Sequence, residues 1–199
     1  EKGSNYRKGV RVVAARIQAA GRVEVEHHRG GLDPALVDRL IGRMLAIDGL
    51  SRQARAHDAT YRRHRGFYED VIRAFNRRAM LDFAFLTIDG RDAAYLLGMV
   101  ERGTYYDLTV AFVEDFKNLS PGTHLRNELA KRLPESGIHT FHSHGEYEYK
   151  RRWATEFAPL VRLFLFRPRI LATLSRTIRF VMPRALARLE RRALSEKAR

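Results

Sequence analysis

At 199 residues, 45% apolar and 30% charged, the chain has the make-up of one globular unit with room for an appended element, which excludes a disordered polymer. It has no cysteine, which excludes a disulfide framework, a thiolate zinc site and a cysteine nucleophile, and no run of about 18 uncharged apolar residues that would cross a membrane as a helix. The net charge of +14, carried mostly by arginine, turns attention to polyanions: nucleic acid, anionic lipid, or the phosphates of a cofactor.

Residues 4–21 (SNYRKGVRVVAARIQAAG) read as a basic helix, capped by Ser4 or Asn5 and stopped by Gly21. RVEVEHH (22–28) alternates apolar and polar side chains and predicts a strand. Asp33 as N-cap and Pro34 at the first helical position open a second helix, in which Val37, Leu40, Ile41, Met44 and Leu45 share a face as far as Gly49. Residues 51–65 are polar, rich in Arg and His and without a period, so they form a loop that would face substrate in an enzyme. A third helix is expected at about 66–79, with Phe67, Val71 and Phe75 stacked at four-residue intervals. Then come three strand-like runs, MLDFAFLTIDG, DAAYLLGMVERG and TYYDLTVAFVED, with Asp89-Gly90 and Arg102-Gly103 as tight turns between them. Such short connections predict an antiparallel meander. Ser120 is the expected N-cap and Pro121 the first residue of a helix buried through Leu125, Leu129 and Leu133 and ended by Gly137. IHTFHS (138–143) predicts a strand, Tyr147–Trp153 a short helix and LVRLFLF (160–166) a further strand. From Arg167 the sequence turns helical and strongly basic, with a break at Pro183.

This order predicts an α+β fold, a mixed and largely antiparallel sheet flanked by helices, over residues 1–166, followed by a basic amphipathic helical extension over 167–199. The first residue is Glu1 rather than Met, so further chain is expected upstream.

Two segments concentrate chemistry. The first is the helix start Ser120-Pro121-Gly122-Thr123-His124. A helix N-terminus leaves backbone N–H groups unpaired and carries partial positive charge, which suits phosphate. Gly122 lets an anion approach the backbone, while Thr123 adds a hydroxyl and His124 a donor. The second runs from His142 to Trp153, twelve residues that mix acidic, basic and aromatic side chains after a strand. There, His144 or Glu146 can accept a proton from an attacking amine, Tyr147 or Tyr149 can protonate a leaving thiolate, and Lys150 can neutralise a phosphate or carboxylate.

In order and context, the meander, the S-P-G helix start, the strand ending in a small residue, and G-x-x-x-Y-K-x-x-W at Gly145–Trp153 resemble the GNAT acetyltransferase domain of CelD-like exopolysaccharide proteins, relatives of the FemAB peptidoglycan aminoacyltransferases. The resemblance runs from about Asn5 to Phe166, and Leu119–Leu125 with Gly145–Trp153 carries most of it. It implies a bacterial, cytoplasmic N-acyltransferase that moves an acyl group from acyl-CoA to an amine, such as an amino sugar or envelope precursor. Under this reading Ser120, Pro121, Gly122, Thr123 and His124 face the acyl-CoA pyrophosphate, and Tyr149 and Lys150 fall on the family's Y-K pair. The family's D-x-G is replaced by Phe141, His142 and Ser143, which moves the base to His142, His144 or Glu146. The Q/R-x-x-G-x-G/A signature of other GNAT enzymes is also absent. The resemblance further implies that an N-terminal half of the same chain precedes this one.

Other readings compete. An aminoacyl-tRNA donor, as in FemAB-like enzymes, would suit the basic surface. Arg62, Arg63 and Arg65 near Tyr61 and His64, and Arg151-Arg152 near Trp153, would suit nucleic acid. A non-catalytic, polyanion-binding scaffold on the same fold would explain the absent aspartate. The 167–199 segment would suit an anionic membrane surface. His139, His142 and His144 lack a nearby Asp or Cys to complete a metal site, and no metal is expected.

Overall fold

The computed structural model describes residues 4–51, 65–143, 150, 154–159, 161, 163–166 and 169–182. The chain divides into two compact units, Glu1–Thr155 and Glu156–Arg199.

In the first unit, helix α1 (Ser4–Gln18), strand β1 (Val23–Arg29), helices α2 (Pro34–Gly49) and α3 (Arg65–Arg77), strands β2 (Leu81–Ile88), β3 (Arg91–Glu101) and β4 (Thr104–Phe112), helix α4 (Pro121–Arg132) and strand β5 (Thr140–Ser143) follow in chain order. The sheet order is β1-β2-β3-β4-β5, with β1 to β4 antiparallel and β5 parallel to β4. This is the α+β, largely antiparallel architecture that the sequence predicts. Both meander turns place two successive residues at positive φ, Asp89 (50°) with Gly90 (75°) and Arg102 (48°) with Gly103 (73°). That handedness matches the twist of the flanking strands. A parallel neighbour cannot be reached by a hairpin, so the chain crosses over through α4 before β5.

Each face of the sheet buries its own cluster. On one face, Val37, Leu40, Ile41, Met44 and Ile47 of α2 and Ile72 of α3 pack on Leu81, Phe83, Phe85, Tyr95 and Leu97. Helix α2 begins as expected, the Asp33 carboxylate accepting from the N–H groups of Ala35 and Leu36. The rotation of α3 differs from expectation. Phe67 is 64% exposed, and Ile72 and Asn76 face inward instead. The Asn76 amide accepts from Leu32 N–H at 2.7 Å and donates to Leu32 O at 2.8 Å, a polar tie that the apolar spacing did not register. On the other face, Ile17 of α1 and Leu125 and Leu129 of α4 pack on Ala84, Leu86, Leu96 and Tyr105.

In the second unit, helix α5 (Ile170–Arg176) continues into a π-helical turn, Thr177–Val181. The Phe180 ring meets those of Phe164 at 4.7 Å and Phe166 at 5.8 Å. The strand expected at 160–166 does not form over its described residues. Val161, Leu163 and Leu165 are 90%, 76% and 87% exposed, and an apolar run without a ladder partner has nothing to fix it as a strand. The short helix expected at Tyr147–Trp153 lies, apart from Lys150, outside the described residues, as do Arg62, Arg63 and Tyr61.

Candidate active site

The site is built where β4 and β5 part. Along its β3 side, β4 is paired from Thr104 to Phe112. Along its β5 side the register over the described residues runs only from Thr104↔Thr140 to Asp107↔Ser143. One residue later the β3–β4 ladder slips, so that Gly98 faces Asp107 while Leu97 faces Thr109, and Leu108 is the extra residue of a bulge. A bulge bends its strand and leaves backbone groups outside the ladder. Leu108–Phe112 thus presents a strand edge beyond the reach of β5's described residues.

Helix α4 starts against that edge. A hollow of about 220 Å³ lies there, lined by Val110 and Phe112 of β4, Lys117, and Ser120, Gly122, Thr123 and Arg126 at the start of α4. Ser120 holds a left-handed conformation (φ 53°, ψ 50°) and its side chain makes no capping bond, contrary to its expected role as a side-chain cap. Its carbonyl starts the helix instead, accepting from Thr123 and His124 N–H at 3.1 Å each. The chain must reverse sharply out of the 3₁₀ turn Glu114–Leu119, and the left-handed serine makes that reversal, so its hydroxyl is not used up by the helix. Gly122 is buried, and a Cβ there would lie 3.2 Å from Val110 Cγ2. The glycine therefore lets the helix sit close to β4, a packing role beside the one the sequence assigned to it.

Below the hollow is a buried charge cluster. Asp107 accepts from Arg126 Nε at 3.0 Å and from Ser143 Oγ at 3.0 Å. Lys150 is only 8% exposed. Burial holds its ammonium below the ordinary lysine value, Asp107 opposes that shift and Arg126 adds to it. Arg126 thus both lines the hollow and grips the carboxylate at the fork. On the opposite face of β4 the rings of Tyr106 and His142 lie 5.5 Å apart.

The family model described as an acetyltransferase (GNAT) domain matches residues 4–151. The chain belongs to the GNAT acetyltransferase family. No curated protein sequence matches it. Among solved structures, the fold is similar to a GCN5-related N-acetyltransferase from Ralstonia eutropha JMP134, with TM-score 0.52 and 13% identity over 72% of this chain and 99% of that one. It is also similar to an aminoglycoside acetyltransferase from an uncultured soil metagenomic sample, solved with sisomicin, with TM-score 0.50 and 9% identity over 75% and 97%. Against the ribosomal-protein alanine N-acetyltransferase from Escherichia coli the match covers 59% of this chain and 64% of that one, with TM-score 0.39 and 14% identity.

Within this GNAT domain the sequence-predicted residues divide into three groups. Ser120, Gly122 and Thr123 come together at the hollow. Pro121 and His124 are buried and do not line it. Burial holds the His124 imidazole below its usual range, against the opposing pull of Glu128. Lys150 joins the cluster at the fork, while His144, Glu146 and Tyr149 lie outside the described residues. The sequence reading missed Asp107, Arg126 and Lys117. Asp107 carried one signal, a lone carboxylate within the strand run TYYDLTV.

Proposed function

We propose that this GNAT domain transfers an acyl group from acyl-CoA to a small primary amine, with the donor's pyrophosphate in the hollow at the start of α4. The observation that carries the reading is the joining of that hollow, with Lys117, Ser120, Thr123 and Arg126 on its walls, to the buried Asp107–Lys150 cluster through a single side chain, Arg126. Cations, hydroxyls and a helix N-terminus suit phosphate oxygens. The volume suits a pyrophosphate, and the remainder of a donor would run along the open edge of β4.

The chemistry asks for little covalent machinery. The amine nitrogen bonds to the thioester carbonyl carbon as the C–S bond breaks, and holding the two together supplies much of the rate. The edge at the Leu108 bulge, which no described residue of β5 pairs, would offer backbone N–H groups to the carbonyl oxygen. Asp107, held by Arg126 and Ser143, supports the carboxylate function that the family's D-x-G would otherwise supply, beside Lys150. For the acceptor we favour an amino sugar, because the Tyr106 and His142 rings, on the other face of β4 at the same fork, offer a stacking surface. An aminoacyl-tRNA donor is the alternative that the +14 charge supports.

The test is calorimetric titration with acetyl-CoA and longer acyl-CoAs, repeated on Thr123→Glu. Thr123 is exposed, so a carboxylate there opposes the donor's phosphates without disturbing the core. Saturable binding that Thr123→Glu weakens about 10-fold or more is expected. Saturable binding that this variant leaves unchanged would move the donor elsewhere, and no binding at all would refute the reading.

A second reading concerns the second unit, for which we propose a peripheral site on an anionic membrane. Among the described residues no helix is long and apolar enough to cross a membrane. Yet Ile170, Leu171, Leu174, Ile178 and Met182 are exposed large apolar side chains. At helical spacing they share one side, while Arg169, Arg176 and Arg179 fall on the other.

A further inference from the structure

Three strands bring a second, unassigned polar feature together on the face covered by α1 and α4. Asp82 of β2 is in register with Gly98 of β3, and Gly98 is in register with Asp107 of β4. Both carboxylates are buried, at 0% and 4% exposure. The space a Gly98 side chain would fill is occupied by the phenol of Tyr105, whose Oη and Cζ a Cβ there would overlap. Directly opposed residues on antiparallel strands have Cβ atoms about 5 Å apart. Asp82 and Asp107 therefore flank the hydroxyl held above Gly98 on the same face of the sheet, and neither is hydrogen-bonded to it at rest.

Tyr105 is fully buried, its ring stacked on Phe141 at 5.0 Å, and its hydroxyl has no hydrogen-bond partner among the described residues. A phenylalanine would fill the same space without burying an unpaired hydroxyl. Burial, Asp82 and Asp107 all favour the protonated phenol, and Arg126 and Arg29 oppose them. A proton is thus held on Oη between two carboxylates.

Both ends of this row lead somewhere. On the fork side Asp107 meets Arg126, Ser143 and the Lys150 region. On the other side the Asp82 carboxylate meets His27 Nε2 at 2.9 Å and Arg29 Nε at 2.6 Å. His27 lies on the outer strand β1 with its side chain 18% exposed. Imidazole is the side chain best suited to exchange protons with water near neutral pH.

We propose that Tyr105 is the middle of a proton relay, Asp107 to Tyr105 to Asp82 to His27, that carries the acceptor's surplus proton from the β4/β5 fork to the sheet edge. This rests on the acyl-transfer reading above. A protonated acceptor loses two protons as its nitrogen bonds to the acyl carbon: one ends on the departing thiolate and the other enters the row at Asp107. Each carboxylate turns onto Oη in its own step: Oη takes the proton from Asp107 and passes its own to Asp82, His27 delivers one to water, and each group returns to its starting state.

The test compares Tyr105→Phe and His27→Gln with the parent full chain, by thiol release across pH and by acetyl-CoA calorimetry. In Tyr105→Phe, unchanged melting and acetyl-CoA affinity are expected, with kcat lowered about 10-fold or more and its dependence on pH altered. In His27→Gln a smaller loss is expected, restored by added imidazole, which a merely structural role would not produce. A Tyr105→Phe variant with the parent's kcat and pH profile overturns the relay. If the parent binds acetyl-CoA but transfers to no amine, the acyl-transfer reading fails on its own. The relay is then decided by NMR titration of His27. A midpoint that Asp107→Asn shifts in the parent but not in Tyr105→Phe supports it, and a midpoint indifferent to Asp107→Asn overturns it.

Discussion

Arg126 reaches Asp107 with two nitrogens at once: Nε and Nη2 each lie 3.0 Å from the same oxygen, Oδ2. The pair is almost wholly out of water, with side chains 12% and 3% exposed. Removing one partner of such a pair strands a desolvated charge, whereas replacing both with apolar groups leaves none. Asp107→Ala is therefore expected to cost about 3 kcal/mol in urea unfolding. The double variant Asp107→Leu/Arg126→Met should recover most of that loss while remaining unable to transfer an acyl group. A double variant no more stable than Asp107→Ala alone would show that the pair stabilises by more than mutual compensation.

Gly122 makes a separate point about α4. With Val110 Cγ2 3.2 Å from where its Cβ would be, Gly122→Ala must push the helix start or the strand by a few tenths of an ångström. Overpacking of this kind costs about 1–2 kcal/mol. Trimming the opposing side chain in Gly122→Ala/Val110→Ala should return part of it. Thermal unfolding of the single and double variants measures both, and equal losses in the two would place the strain somewhere other than Val110.

What could be read from the sequence follows the range of the interactions involved. The meander is local: Asp89-Gly90 and Arg102-Gly103 force a reversal whatever surrounds them, and α2 begins at Asp33-Pro34 for equally local reasons. The hollow was half legible, because Ser120, Gly122 and Thr123 belong to one contiguous helix start. Arg126 and Lys117 were not singled out, since basic residues in so basic a chain carry no signal of their own. Asp107 was out of reach for a different reason. In TYYDLTV it reads as the polar member of an alternation, and only the parallel return of β5 with Ser143, together with α4 bringing Arg126, turns it into a buried, paired carboxylate. His124 shows the converse: its place two residues after Gly122 pointed to a ligand contact, and the helical rotation that buries Leu125 and Leu129 also buries it.

That burial makes His124 a source of pH-dependent stability. Its folded-state pKa lies below the usual 6.5, chiefly through desolvation, so between the two values the unfolded chain binds a proton that the folded chain resists. The contribution is complete above pH 6.5 and is lost as pH falls through the lower folded value. Unfolding free energy should therefore decline with acidification below about pH 6.5, and His124→Gln should flatten that decline. Urea midpoints at a series of pH values compare the two slopes, and parallel curves for parent and variant would remove His124 as the cause.

The second unit offers a test that needs no substrate. If α5 and its continuation lie on an anionic bilayer, burying Ile170, Leu174 and Ile178 provides the apolar contribution and Arg169, Arg176 and Arg179 the electrostatic one. Co-sedimentation with phosphatidylserine-containing vesicles should then exceed that with neutral phosphatidylcholine vesicles, and should weaken as salt is raised. Ile170→Asp/Leu174→Asp should lower binding at least several-fold at constant salt, because each aspartate removes apolar area and adds repulsion. An anionic preference that survives this change would assign the effect to charge alone. Binding to neither vesicle would leave the apolar stripe without a lipid role and end the membrane reading.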